Sequence, residues 1–229
     1  MKFYFIRHGH PNYKNDCLTE LGKLQAEKAA ERLCEYGIEE IYASTKGRAI
    51  ETAEYTAKRL GLPVVLCDFM KEIGWKSVDD EPILEKGHPW AVSTAHVSSG
   101  ISLTDLDWRE KDPYCRSIVV ERVADVVKGF DEFFAELGYQ REGEYYRVVG
   151  ENTNKTIAMF SHAGSSSAVI SHLLNIPFPQ ICGFMSIDFT SMICFELPDE
   201  KGALVYPKLV VCNDAMHIKG LTVDNVYGN

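Results

Sequence analysis

The sequence has no long hydrophobic run and no excess of positive charge. No stretch approaches the roughly 18 apolar residues that a membrane-spanning helix needs, and the apolar start of the chain is too short for the core of a secretion signal. The formal net charge of -9 argues against general binding to nucleic acids or anionic membranes, which depends on a basic surface. We therefore expect a cytoplasmic protein with neither a nucleic-acid nor a membrane partner.

The sequence also lacks the cysteine patterns of disulfide frameworks and zinc sites. Its seven cysteines are odd in number, scattered and never spaced as CxxC: Cys17, Cys34, Cys67, Cys115, Cys182, Cys194 and Cys212. This pattern favours reduced thiols. Because no internal repeat or low-complexity linker divides the 229 residues, we expect one domain, 1–229, with an insertion at about 74–151.

On both sides of that insertion, short apolar segments alternate with helical patterns. We expect strands at residues 3–6, 41–43, 64–66, 156–160, 192–197 and 204–211, and helices at 18–37, 47–60 and 168–174. Thr19 is a predicted N-cap, and residues 161–164 are a predicted turn. Inside the insertion, apolar residues at helical spacing predict a long helix over 119–137, followed by a turn or hairpin over 139–149. The alternation predicts an α/β fold with helices on both faces of a mostly parallel central sheet.

Three predicted strand ends carry residues suited to binding phosphate. Arg7 and His8 follow the first strand, Arg48 stands in the first turn of the helix after Ser44, and His162 follows the strand at 156–160. Ligands of parallel sheets bind beyond the carboxyl ends of the strands, and helix N-termini favour anions. A neutral histidine can attack phosphorus, and arginine can hold phosphate oxygens. Each residue alone has an ordinary structural interpretation, but their occurrence at matching strand ends favours a site.

Five short motifs make the pattern specific. In chain order they are Arg7-His8-Gly9, Leu18-Thr19-x-x-Gly22-x-x-Gln25-Ala26, Ser44-x-x-x-Arg48-Ala49-x-x-Thr52-Ala53, Ser161-His162-Ala163-Gly164 and Asn213-Asp214-x-x-His217. In type, spacing and order they resemble the motifs of the histidine phosphatase (phosphoglycerate mutase-like) superfamily. The resemblance spans nearly the whole chain outside the insertion, and it implies a phosphoglycerate mutase-like three-layer sandwich in which the insertion forms a cap.

The resemblance also implies roles. His8 would attack phosphorus and become phosphohistidine, while Arg7, Arg48, His162 and the backbone N–H of Ala163 would bind the phosphoryl oxygens. With such donors in place, neither a metal ion nor a cofactor is expected.

A proton donor is needed because an alkoxide leaves slowly unless it is protonated. Families of this type place a glutamate shortly after the third strand, and Glu72 matches that place. Glu72 is therefore the expected general acid and later the base that activates water; Glu81 and Glu85 are the reserve candidates.

Two positions depart from the family pattern. His10 follows the first motif, where Glu or Gln is usual, and Lys14 stands where many members have an asparagine that touches phosphate. Asn12 lies nearby, and we expect that it could take over this contact. The departures concern the substrate and the subfamily rather than the reaction.

The insertion is rich in aromatic and basic residues: Trp75, Lys76, His88, Trp90, His96, Trp108, Arg109, Lys111 and Arg116. One hypothesis is that Lys76, His88 or Arg109 meets a second anionic group of the substrate. The alternative is that the tryptophans pack in the core and the basic residues are solvated.

The leading interpretation is a metal-independent phosphatase that hydrolyses a small phosphomonoester through phospho-His8. A phosphoglycerate-type mutase, a phosphate-binding scaffold without turnover and a phosphoprotein phosphatase are the alternatives. The sequence leaves the oligomeric state open.

Overall fold

The computed structural model describes residues 1–78, 89–151 and 153–221. Glu81, Glu85 and His88 lie outside these ranges, as does the side chain of Trp90. The described strands are Lys2–Arg7 (β1), Pro11–Asn12 (β2), Cys17–Leu18 (β3), Glu40–Ser44 (β4), Val64–Cys67 (β5), Tyr139–Glu142 (β6), Tyr145–Val148 (β7), Thr156–Ser161 (β8), Met192–Glu196 (β9), Leu204–Val205 (β10) and Lys208–Asp214 (β11). The described helices are Glu20–Leu33 (α1), Gly47–Leu60 (α2), Pro89–Ser98 (α3), Val119–Glu136 (α4), Ala163–Leu174 (α5) and Phe178–Phe184 (α6).

The central sheet has six strands in the order β11-β9-β1-β8-β4-β5. Strand β9 pairs antiparallel with both of its neighbours, and the other described pairs in this sheet, β1 with β8, β8 with β4 and β4 with β5, are parallel. Because β1, β8 and β4 are neighbours with the same direction, their carboxyl ends meet at one edge. Arg7 at the end of β1 is in register with Ser161 at the end of β8.

Alternating side chains of the buried strands serve two cores, one on each face of the sheet. In β1, Phe3 and Phe5 pack with α4 and α5, whereas Tyr4 and Ile6 pack with α1 and α2. A strand covered on both faces reads as a continuous apolar run, and this is why residues 3–6 show no polar alternation. The predicted three-layer α/β/α fold with a mostly parallel sheet is confirmed.

Local signals placed several element ends correctly. Thr19 caps α1, and its side-chain oxygen accepts a hydrogen bond from Gly22 N–H. Helix α2 has the predicted bounds and ends at Gly61, whose φ of 68° is the left-handed conformation that glycine adopts without steric cost. The predicted hairpin is also confirmed, since β6 and β7 pair antiparallel.

Two predicted elements were wrong in extent. The strand expected over 204–211 is two strands in different sheets, because β10 pairs with β7 whereas β11 pairs with β9. The helix expected over 168–174 begins earlier, at Ala163, so most of the predicted turn at 161–164 lies at the N-terminus of α5. The first turn was missed because Ser165, Ser166 and Ser167 are polar and interrupt the apolar pattern that predicts a helix, although all three are buried.

The long helix α4 lies on the central sheet. Its Phe130 and Phe134 rings lie 5.8 and 5.5 Å from the ring of Phe3 in edge-on arrangements, which aromatic pairs favour. Trp75 and Trp108 of the preceding segment also pack inward: Trp75 stacks on Phe178 at 5.9 Å, and Trp108 is 4% exposed. No helix in the described part of the chain is long and apolar enough to cross a membrane. The seven cysteines are free thiols.

Candidate active site

His8 lies directly after β1 and is almost completely buried, with 1% of its surface exposed. Its Nδ1 atom lies 2.7 Å from Gly9 O, an acceptor, so Nδ1 carries the proton and donates it. Arg48 Nε donates to the other ring nitrogen, Nε2, at 3.2 Å. Burial, reinforced by the charges of Arg7 and Arg48, lowers the pKa of His8 to about 3. The imidazole is therefore neutral near pH 7, with its lone pair on Nε2.

Arg48 is held beside His8 by the first turn of α2 and by Asp16. Asp16 accepts a hydrogen bond from Gly47 N–H at 3.0 Å and forms an ion pair with Arg48. Although partial burial opposes them, these two interactions hold the pKa of Asp16 below its ordinary value. Asp16 has a φ of 49°, a left-handed conformation that Asp tolerates better than most residues. Asp16 was not predicted as a site residue, although it lies only two residues before the Leu18-Thr19 motif.

His162 caps α5 and faces His8, with ring centroids 5.1 Å apart. Its Nε2 atom lies 2.8 Å from Ser44 Oγ, which accepts from Lys46 N–H and has its own hydroxyl proton to donate to Nε2. A neutral ring that accepts this proton carries its own proton on Nδ1. Its Nδ1 atom is buried and has no hydrogen-bond partner among the described residues. Burial is the main cause that lowers the pKa of His162 well below its ordinary value, and the positive charges of Arg48 and Arg7 act in the same direction.

Arg7 completes the cluster from the other side of His8. Its guanidinium donates to Ile187 O at 2.6 Å and stacks on the Phe189 ring, with Cζ 4.1 Å from the ring centroid. Its Nε atom is buried and is not hydrogen-bonded to any part of the chain that the structure describes. The cluster of two arginines and two neutral histidines thus retains unused donors.

Glu72 follows β5 and reaches the N-terminus of α5. Its Oε1 atom accepts hydrogen bonds from Ile73 N–H at 3.0 Å and Ser165 N–H at 3.2 Å. Burial raises the pKa of Glu72, against the opposing effects of these N–H groups and of Arg7 and Arg48. A carboxyl group whose pKa is raised can carry a proton closer to neutral pH.

The sequence model of the family described as the histidine phosphatase superfamily (branch 1) matches residues 3–209 of the chain. The chain belongs to this superfamily. Among curated relatives, a Schizosaccharomyces pombe protein named a probable phosphatase is 30% identical over 118 residues, 44% of this chain and 54% of that protein. A Yersinia pestis protein named the probable phosphoglycerate mutase GpmB is 27% identical over 127 residues, 48% of this chain and 59% of that protein. The aligned parts therefore span little more than half of these relatives.

Solved structures resemble the chain over almost its full length. A phosphoserine phosphatase from Entamoeba histolytica in complex with 3-phosphoglyceric acid has a TM-score of 0.62 and 22% identity, covering 95% of this chain and 98% of that one. A mycobacterial glucosyl-3-phosphoglycerate phosphatase with inorganic phosphate has a TM-score of 0.63 and 22% identity, with coverage of 94% and 98%. Bacillus stearothermophilus YhfR has a TM-score of 0.64 at 19% identity, with coverage of 95% and 98%. At these identities the likeness establishes the shared histidine phosphatase fold.

The motif residues that lie outside the cluster hold the loop after His8 in place. Thr52 Oγ1 accepts from Gly9 N–H at 3.1 Å, and Gln25 Oε1 accepts from His10 N–H at 2.8 Å. A Cβ at Gly9 would lie 2.6 Å from Gly22 O, so the backbones of the first two motifs meet where no side chain fits. Ser161 is buried and hydrogen-bonded to Ser166, in agreement with a structural role.

The C-terminal motif braces the other side of the cluster. Asn213 Oδ1 accepts from Asp188 N–H at 2.8 Å, and its Nδ2 donates to Asp188 Oδ2 at 3.0 Å. His217 Nε2 lies 3.0 Å from Thr190 Oγ1, and Asp214 pairs with Arg32. These bonds hold the chain segment that carries Phe189.

The positions that depart from the family pattern lie in the segment after β1. His10 Nδ1 lies 2.9 Å from Thr19 Oγ1, and its ring lies edge-on to Phe189 at 5.4 Å. Asn12 Oδ1 accepts from Asn15 N–H at 3.3 Å. The neighbouring Tyr13 was not predicted as a site residue. It lies beside Arg48, whose Cζ atom is 5.4 Å from the centroid of the Tyr13 ring. Lys14 is exposed.

Of the basic residues expected to meet a second anionic group, Arg109 lies in a different part of the structure from the cluster. Arg109 lies over Trp108 and lines a groove with Asp131 and His172. His172 is near the end of α5, ten residues from His162 and thus about 15 Å along the helix. Lys76 is exposed. Within the described ranges, no group of three or more His, Cys, Asp or Glu side chains is arranged to hold a metal ion.

Proposed function

We propose that this protein hydrolyses small phosphomonoesters without a metal ion, through a phosphohistidine formed on His8 Nε2. The observation that carries the proposal is the orientation of His8. Its Nδ1 proton is donated to Gly9 O, so the lone pair on Nε2 is directed into the cluster of basic groups. The low pKa keeps this nitrogen unprotonated at neutral pH, as a nucleophile requires.

The surrounding donors fit a phosphoryl group. Arg7 Nε and His162 Nδ1 are buried and unused within the described structure, and Arg48 lies against the attacking nitrogen. The N–H group of Ala163, the first residue of α5, has no acceptor within its helix. We assign these groups to the non-bridging oxygens, where they stabilise the charge of the transition state. Asn12, in the segment after β1, is a further candidate to contact these oxygens.

Glu72 supplies the proton. As the bond between His8 Nε2 and phosphorus forms, the bond between phosphorus and the ester oxygen breaks, and that oxygen takes the Glu72 proton. The Glu72 carboxylate then takes a proton from water, whose oxygen bonds to phosphorus as the N–P bond breaks. The raised pKa of Glu72 suits the first step, and the N–H groups of Ile73 and Ser165 suit the carboxylate in the second.

The substrate class is proposed from the expected cap and from two similar structures. We propose that, within the insertion at about 74–151, the residues before α4 form the cap, since α4 itself lies on the sheet. Two similar structures are a phosphoserine phosphatase and a glucosyl-3-phosphoglycerate phosphatase, so small carboxylate-bearing phosphate esters are the first compounds to test.

A mutase is the second candidate, because one curated relative is named a probable phosphoglycerate mutase. A mutase would return the phosphoryl group from His8 to a second hydroxyl of the substrate instead of to water. Accumulation of an isomer without inorganic phosphate would favour it.

The test is phosphate release, in the presence of a chelator, from p-nitrophenyl phosphate, phosphoserine, phosphoglycerates, sugar phosphates and phosphopeptides. Wild type should release phosphate, and His8→Ala should release none above background. His172→Ala is the matched control, because it removes a histidine of α5 that pairs with Asp131 of α4, away from the cluster, and should keep activity. Wild type quenched in alkali, which preserves the acid-labile N–P bond, should carry one phosphoryl group on the peptide that contains His8.

Two results would contradict the proposal. Release of phosphate by His8→Ala at the wild-type rate would remove His8 from the chemistry. A wild type that forms no phosphohistidine and turns over none of these esters would favour a phosphate-binding scaffold.

A further inference from the structure

The guanidinium of Arg7 rests on an aromatic ring. Arg7 Cζ lies 4.1 Å from the centroid of Phe189, and the Arg7 side chain also donates to Ile187 O at 2.6 Å. A planar guanidinium that stacks on a ring and is anchored at one nitrogen can no longer rotate freely. The Nε–H group of Arg7, buried and not hydrogen-bonded within the described chain, is thereby held in one direction.

The same ring touches both histidines of the loop after β1. The Phe189 centroid lies 5.8 Å from the His8 ring and 5.4 Å from the His10 ring. Phe189 is half-buried, so one part of its surface faces these groups while another is open to solvent. One side chain therefore packs against the attacking histidine, a phosphate-binding arginine and the unusual residue at position 10.

The backbone that presents Phe189 is strained and held from several sides. Thr190 has a φ of 55°, which is a genuine outlier for a β-branched residue. Its N–H donates to Arg7 O at 3.0 Å, and its hydroxyl lies 3.0 Å from His217 Nε2. Asp188, the residue before Phe189, is hydrogen-bonded to Asn213. Such strain persists where the surrounding structure enforces it, and it is concentrated at functional sites.

We propose that Phe189 is a positioning residue of the phosphate site, which orients the Arg7 guanidinium toward the phosphoryl oxygens. The C-terminal residues Asn213 and His217 act through it, because they hold the turn that aims the ring. The proposal rests on the phosphatase function in assigning Arg7 to the phosphoryl oxygens. It predicts that Phe189 matters most when the phosphorus is five-coordinate and its equatorial oxygens need directed donors.

The experiment measures binding of two probes, inorganic phosphate and orthovanadate, to wild type, Phe189→Leu and Phe189→Tyr by calorimetry. Orthovanadate imitates the five-coordinate transition state. Phe189→Leu should weaken orthovanadate binding by about 3- to 30-fold, the range expected when an arginine loses its aromatic partner. Phosphate binding should weaken less, and Phe189→Tyr, which keeps a ring, should recover at least a third of the wild-type affinity.

A double variant separates positioning from packing. If Phe189 acts through Arg7, adding Phe189→Leu to Arg7→Lys should lower orthovanadate affinity by less than about threefold further, because the oriented guanidinium is already gone. Tyr206→Leu is the matched control, since it removes an exposed aromatic side chain on the loop after β10 and should leave both affinities unchanged.

Equal affinities in wild type and Phe189→Leu would overturn the proposal. So would effects of the two single changes that simply add, because a ring that only packs has no coupling to Arg7. A wild type that binds phosphate without turnover would refute the phosphatase function, yet the probe affinities would still test Phe189. A wild type that binds neither probe would overturn both.

Discussion

A Cβ atom at Gly164 would lie 2.5 Å from Oε1 of Glu72. Glycine in the first turn of α5 therefore leaves the space in which the Glu72 carboxyl meets the Ser165 N–H group. The glycine of the fourth motif thus makes room for the proposed proton donor, which is more than 90 residues earlier in the chain.

Gly164→Ala should displace Glu72 and lower kcat for alkyl phosphates by about 100-fold, since a displacement of about 1 Å in a catalytic group has that effect. Helix propensity alone would favour alanine by about 0.5–1 kcal/mol, so loss of activity here cannot come from a weaker helix. Steady-state kinetics on phosphoserine measure the loss. In a Glu72→Ala background, which removes the clashing carboxyl, Gly164→Ala should add little; an undiminished effect would disprove the link.

Glu72→Gln should separate the two chemical steps. With p-nitrophenyl phosphate, whose leaving group needs no proton, His8 should still be phosphorylated, but hydrolysis of phosphohistidine should slow by about 10²- to 10⁴-fold. Stopped-flow absorbance should then show a burst of one p-nitrophenol per enzyme.

With alkyl phosphates, wild-type kcat/KM should fall as the pH rises through the raised pKa of Glu72, and Glu72→Gln should lose this decline. A Glu72→Gln enzyme with wild-type turnover on alkyl esters would remove Glu72 from the mechanism.

Acid should destabilise the protein partly through His8. Its pKa is about 3 in the folded state and near 6.5 when unfolded, so between these values the unfolded chain binds one more proton. Stability should therefore rise with pH across this window, by about 1.4 kcal/mol per pH unit for this group.

The His8→Asn variant isolates that contribution. Its free energy of unfolding, measured by urea denaturation from pH 4 to 6.5, should rise less steeply than that of wild type by about 1.4 kcal/mol per pH unit. Parallel curves would mean that His8 is not held neutral in the native state. His172→Asn is the comparison, because that half-buried histidine pairs with Asp131 instead.

Thr52→Val should loosen the His8 loop. Thr52 is fully buried, and its hydroxyl accepts from Gly9 N–H and donates to Arg48 O at 2.7 Å. Valine has nearly the same shape but no hydroxyl, so the buried Gly9 N–H loses its acceptor, at a cost of about 1–3 kcal/mol in unfolding free energy. Chemical denaturation measures the cost, and kcat/KM should fall as well. Thr52→Ser should restore both; if it does not, the methyl packing and not the hydrogen bond is what matters.

Much of the fold could be predicted because its signals are local. Apolar runs of strand length, the Thr19 cap and the glycine after α2 each depend on residues that are close in sequence. The strand predicted over 204–211 failed for the opposite reason: nothing local indicates that β10 joins β7 while β11 joins β9.

Some residues of the candidate site could be predicted from the sequence, and others could not. Arg7, His8, Arg48 and His162 could be proposed from their positions at strand ends, since parallel strands bring those ends to one edge. Asp16 and Tyr13 were missed because each acts by contact with Arg48, more than 30 residues away. Glu72 could be proposed from the family pattern, but not its contact with α5.

The sequence by itself determined the superfamily, the alternation of strands and helices and the chemical types at three strand ends, because these depend on residue identity and short-range periodicity. The tertiary structure alone decided which nitrogen of His8 holds the lone pair, that Glu72 lies at Gly164, and that Phe189 supports Arg7. Those relationships join segments up to about 180 residues apart. Their geometry exists only once the sheet and both helical layers have packed, since no local preference of the chain specifies it.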